Sequence, residues 1–215
     1  VAEGKPEPRY QIGPAPELLQ EIGQIMVAYS ECERSIFAIF KGVMSLDEQD
    51  AYLLVKHANL NAEKMLSIIR VQIQRIKPDC LEGPLCEALE IFKRSIEHRN
   101  IVAHWQWALT DGTSGLAFNA LKAKPGELLN GRSYELEELK LTAWQLAKAA
   151  ILLGTVAVSM FEVRRTLPTN PGWSPNYYSN RDKQDELIVQ SAIDLVREHL
   201  DLMDKSMNQS GPSTS

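Results

Sequence analysis

The chain has 215 residues, 44% of them hydrophobic, enough to bury one sizeable core or one core with an appendage. A formal charge of −5 excludes a general nucleic-acid coat protein, which needs a basic surface, but leaves room for a local basic site. Cys32, Cys80 and Cys86 form no Cys-x-x-Cys pair and read as reduced thiols of a cytoplasmic protein rather than a disulfide framework.

Residues 1–14 are rich in Pro and Gly and are expected to form a flexible arm without a signal-peptide pattern. Apolar residues at Leu18, Ile22, Met26, Tyr29, Ile36 and Phe40 recur at helical steps and predict a long helix over Pro16–Val43. Glu33 falls inside that stripe, within about 20° of Ile22 on a helical wheel. Leu46–His57 reads as a short helix. Asn61 is the expected N-cap of the next, which runs to about Ile76 on a stripe of Ala62, Met65, Ile69, Ile73 and Ile76. Pro78–Gly83 reads as a turn, with Pro84 at the first position of the following helix.

That helix carries the stripe Leu85, Leu89, Phe92, Ile96 and Ala103, interrupted by Arg99. A guanidinium in that place cannot shed its charge and needs an acidic partner or an anionic ligand. Glu33 is the expected acidic partner, facing a common interior site.

After His104 the period changes to two. Trp105, Trp107 and Leu109 alternate with polar or small residues, Asp111-Gly112 supplies a turn, and Leu116, Phe118 and Ala120 alternate again. This predicts a β-hairpin inserted over about 104–122, followed by a loop over Lys124–Arg132. Trp105 and Trp107 are expected to pack the hairpin rather than stack on bases. A long helix is expected over Leu136–Thr166, with a small-residue face at Ala143, Ala147, Ala150, Gly154 and Ala157 and apolar residues opposite, hence central or shared with a second subunit. Its uncharged run, Ala149–Phe161, is too short to span a bilayer, so no membrane partner is expected. Residues 168–207 read as a connector holding Tyr177-Tyr178 and a last helix, about Asp182–Met207, with Ile188, Ser191, Leu195 and Leu202 on one side. The tail 208–215 reads as disordered.

Arg99-Asn100-Ile101-Val102-Ala103-His104 has the form R-N-x-x-A-H. With Arg99 on an apolar stripe and an interior Glu33 on an earlier helix, the chain resembles the HEPN superfamily (higher eukaryotes and prokaryotes nucleotide-binding domains) over roughly residues 15–167. The resemblance implies an all-α, up-and-down helical bundle, here with a small inserted β-hairpin and an extra C-terminal helix. It also implies a metal-independent ribonuclease acting as a homodimer, with RNA as substrate and an antitoxin or regulatory protein as a further partner. Toxin–antitoxin and phage-defence systems are the usual setting. No cofactor and no metal are expected, since His98 and His104 are six apart with no cysteine nearby.

The residue types suit metal-free RNA cleavage. Histidine takes or gives a proton near neutrality, and a guanidinium clamps phosphate oxygens. His104 is the expected general acid/base, Arg99 the phosphate clamp, Asn100 the residue that orients the imidazole and Glu33 the residue that positions Arg99. Lys93, Arg94 and His98 are the expected RNA-tracking patch. Arg99 and His104 lie about 140° apart on an ideal helix, so both reach one phosphate only if the helix ends near Ala103 or a second subunit completes the site. The alternative is a non-catalytic helical interaction or nucleotide/RNA-binding module in which Arg99–Glu33 is a structural ion pair and His104 only caps the helix.

Overall fold

The computed structural model describes residues 13–76, 79–108, 114–119, 130–165, 190, 193–198, 200–202 and 204–205. These are mostly helical with one small sheet: α1 (Pro16–Met44), α2 (Glu48–His57), α3 (Ala62–Ile76), α4 (Asp79–His104), β1 (Gln106–Trp107), β2 (Ser114–Asn119), β3 (Asn130–Glu135) and α5 (Leu136–Arg165). The described residues from 190 to 205 are also helical. The expectations placed on residues 1–12, on the Asp111-Gly112 turn, on Tyr177-Tyr178 and on the tail lie outside the described residues.

Local chemistry sets the helix ends. α1 stops where Ser45 takes a left-handed φ of 57°, and α2 stops before Asn59 at φ 50°. Asp47 caps α2 by accepting from the Asp50 amide, and Asn61 caps α3 by accepting from the Lys64 amide at 3.0 Å. α4 departs from expectation at its start. It begins at Asp79, with Pro84 inside it rather than at its first position. Proline there costs one backbone bond near the helix N-terminus, where few bonds depend on it.

The chain divides into two compact units. One comprises Val1–Met26 with Ile96–Trp144, the other Val27–Ser95 with Gln145–Ser215. The first, the sheet unit, holds all three strands. The second is helical. α1, α4 and α5 each contribute one end to either unit.

In the helical unit, Tyr29 of α1 stacks on Phe92 of α4 with ring centroids 4.9 Å apart. Cys32 donates to the Leu146 carbonyl of α5 at 3.6 Å. Lys148, halfway along α5, reaches Glu87 at 3.2 Å and Asp204 at 3.8 Å. The buried line of α1 passes through Ile25, Tyr29, Cys32, Ile36 and Ile39, so Cys32 holds the central place and Glu33 lies half-buried on the flank. The C-terminal helical residues bury Ile193 and Leu200, whereas Leu195 and Leu202, expected on the packed side, are exposed. Both pairs are seven residues apart, so the sequence period alone does not choose between them.

Leu136–Ser159 is the one stretch among the described residues long and apolar enough to cross a bilayer, with a mean hydropathy of 1.5. The same composition belongs to a central bundle helix, and the two carboxylates around Lys148 fit that role.

In the sheet unit the expected hairpin is a three-stranded antiparallel sheet in the order β1-β2-β3. β3 occupies Asn130-Gly131-Arg132, read from sequence as part of a loop because Asn-Gly is a turn signal. Trp107 pairs with Ala117, and Gly115 pairs with Tyr134, which places these four side-chain positions on one face. That face is the buried one, and Leu116 points the other way and is exposed. Gly115 is needed for close approach: a Cβ there would stand 2.9 Å from the Trp107 ring and 3.2 Å from Leu18.

Candidate functional site

Arg99, Asn100 and His104 all lie in the last turns of α4, in the sheet unit. Leu85, Ala88, Leu89, Phe92 and Ser95 fill the buried stripe earlier in this helix, and Ile101 and Val102 are buried beyond it. Arg99 is half-buried at the edge of that stripe, with Asn100 and His104 exposed. α4 ends at His104. The Trp105 amide still donates to the Ile101 carbonyl, while Trp107 turns back and donates its indole N–H to the Val102 carbonyl at 3.3 Å. That bond satisfies one of the carbonyls a helix leaves open at its C-terminus. It also ties the first strand to the turn that bears His104.

The 140° separation expected of an ideal helix does not keep the two side chains apart. Nη1 of Arg99 stands 3.4 Å from Nε2 of His104 and donates to Oδ1 of Asn100 at 3.0 Å. The arginine side chain is long enough to cross the helix surface and lean over Asn100, which shares a face with His104 four residues on. A guanidinium only donates, so for the longer contact to be a hydrogen bond Nε2 must accept and the imidazole proton sits on Nδ1. Asn100 thereby accepts from the same guanidinium nitrogen that approaches His104.

Glu33, the expected positioner of Arg99, belongs to the helical unit and Arg99 to the sheet unit. Within its unit Glu33 stands with Glu31 near Cys32. Burial first, then those two carboxylates, push the Cys32 thiol up to about 12.

Comparison with protein-family models, curated proteins and solved structures gave no match.

Lys93 and Arg94 are exposed in the helical unit, where Arg94 donates to the Glu90 carbonyl of its own helix at 3.3 Å. His98 is turned inward in the sheet unit. Its ring meets Tyr134 edge-on at 6.0 Å, and Nδ1 lies 3.8 Å from a Glu138 carboxylate oxygen. Glu138 also accepts from Arg132 at 2.8 Å, and the Arg132 guanidinium lies over the Tyr134 ring at 4.8 Å. Burial, then the Arg132 charge, lowers the His98 pKa from its usual 6.5 against the opposing pull of Glu138 and Glu97. Desolvation likewise raises the Tyr134 phenol to about 12.

Sequence reasoning missed this second cluster. Its members come from α4, β3 and the first turn of α5, and they meet only once β3 exists. The one available signal was the alternation Arg132, Tyr134 ahead of the acidic helix start. Among the described residues no group of three or more His, Cys, Asp or Glu side chains is arranged to hold a metal ion.

Proposed function

We propose that this chain is a metal-independent RNA endonuclease of the HEPN type, cytoplasmic and acting as a dimer in a toxin–antitoxin or phage-defence setting. The observation that carries the reading is the convergence of Arg99 and His104 at the exposed end of α4. An imidazole whose Nε2 has a free lone pair once the guanidinium moves off can accept the 2′-hydroxyl proton. The 2′ oxygen then attacks the adjacent phosphorus, the bond to the 5′ oxygen breaks, that oxygen takes a proton from water as it leaves, and the imidazolium returns its proton to solvent. The Arg99 guanidinium matches the charge that builds on the phosphate oxygens, and Asn100 steadies it beforehand.

A second reading has its own support. Arg99 is already engaged with Asn100 and His104, and such a network can simply fix the end of a helix in an interaction module.

Cleavage of a mixed single-stranded RNA panel in EDTA separates the two. The nuclease reading expects products with 2′,3′-cyclic phosphate ends, lost in both His104→Ala and Arg99→Ala while each variant keeps its helical circular dichroism. Wild type that leaves every RNA intact, with Arg99→Ala lowering the melting temperature, would establish the module instead.

A further inference from the structure

His104 is the last residue of α4, so what closes that helix bears on the Arg99–His104 pair. In a helix that ran on, the Gln106 amide would donate to the Val102 carbonyl four residues back. Gln106 instead belongs to β1 and pairs with Phe118, and the Trp107 indole donates to that carbonyl at 3.3 Å. A side chain takes the place of the next helical amide. Val102 is buried, so a carbonyl left open there would be costly.

The indole has a built seat. Trp107 pairs with Ala117, and its ring stands 5.7 Å from that of Tyr134. Gly115 leaves room for the ring, since a Cβ there would come within 2.9 Å of it. The Ala108 amide donates to the Leu116 carbonyl at 2.9 Å, which anchors the chain just beyond Trp107. All of these groups lie in the sheet unit with Arg99 and His104.

Side chains on a helix lean towards its N-terminus. A closed last turn therefore tilts His104 back towards Asn100, where Nη1 of Arg99 meets its Nε2 at 3.4 Å. An opened turn loses that tilt. We propose that Trp107 is a positioning residue for the Arg99–His104 pair, its indole closing the turn of α4 that aims the imidazole. The consequence for RNA cleavage rests on the nuclease reading, whereas the consequence for the turn does not.

The test removes the donor alone, by placing 3-benzothienylalanine at position 107, which keeps the ring's shape and has sulfur in place of N–H. Trp107→Phe is measured beside it. Ile69→Val, a core change in the helical unit, controls for general loss of stability. Amide exchange and the imidazole nitrogen signals are read by NMR at a pH where the ring is neutral. Wild type holds the His104 proton on Nδ1. Both position-107 variants exchange the Trp105 amide, which donates to Ile101, about five- to tenfold faster. Their His104 moves towards a mixture of tautomers, and Ile69→Val changes neither reading. In a chain that cuts RNA, the same two variants lower kcat about ten- to a hundredfold at unchanged KM. Unchanged exchange and tautomer in the benzothienyl protein overturn the proposal, even when wild type cleaves RNA. So does a wild-type His104 protonated on Nε2, because its contact with Arg99 is then no hydrogen bond. Both spectra decide the question in a chain that leaves RNA intact, so the nuclease reading can fail separately.

Discussion

Single residues here are governed by what burial does to charge. His98 is held neutral by its surroundings, chiefly by desolvation and next by Arg132. Its folded-state pKa lies below the unfolded one, so between the two values the unfolded chain binds more protons. The stability His98 contributes is complete above about 6.5 and falls as pH drops below that point towards the folded value. Denaturant unfolding at a series of pH values should show wild type losing stability through this window more steeply than His98→Gln; parallel profiles would remove His98 as the cause. Thiol chemistry follows the same logic. Cys32 is fully buried and its pKa is pushed up to about 12, whereas Cys86 is exposed. Alkylation mapped by mass spectrometry should modify Cys86 in the native protein and reach Cys32 only after unfolding.

At the scale of elements, the sheet turns on a position without a side chain. Trp107 lies 5.7 Å from Tyr134 and is tied to the Val102 carbonyl, so its ring has little freedom to yield to a new methyl group at residue 115. Gly115→Ala should lower stability by about 1–3 kcal/mol, as overpacking of a filled site does, read as a lower denaturation midpoint with unchanged slope. The same indole bond closes α4 beside His104, so the sheet and the end of the candidate site helix are one local structure. The missed third strand has the same lesson. Asn130-Gly131 is a sound turn signal in isolation, yet pairing with Phe118 and Asn119 overrides it. Pairing partners distant in sequence are not written into a local pattern.

For the whole molecule, the nuclease reading rests on the sheet unit, which carries Arg99, Asn100 and His104. Loss of RNA cleavage in His104→Ala bears directly on that reading. A chain that cuts RNA as a monomer would complete its site with Arg99, Asn100 and His104 of one copy.

The sequence by itself determined the types of the long helices and, apart from the start of α4, nearly all of their ends. Periodicity, the Asn61 cap and the absence of breakers are local facts, and α1, α3 and α5 run nearly where those facts put them. It also singled out Arg99, because a cation on an apolar stripe is conspicuous without any structure. Only the tertiary structure decided which of two seven-residue repeats the C-terminal helical residues bury, and that Cys32 rather than Glu33 holds the centre of α1. It alone brought Arg99 to His104 across the helix surface, and Arg132, Tyr134 and Glu138 to His98. The physical reason is one of range. A helical period is set by neighbours three and four residues away, whereas the choice of buried face, strand partner and side-chain reach depends on what the rest of the chain packs against it.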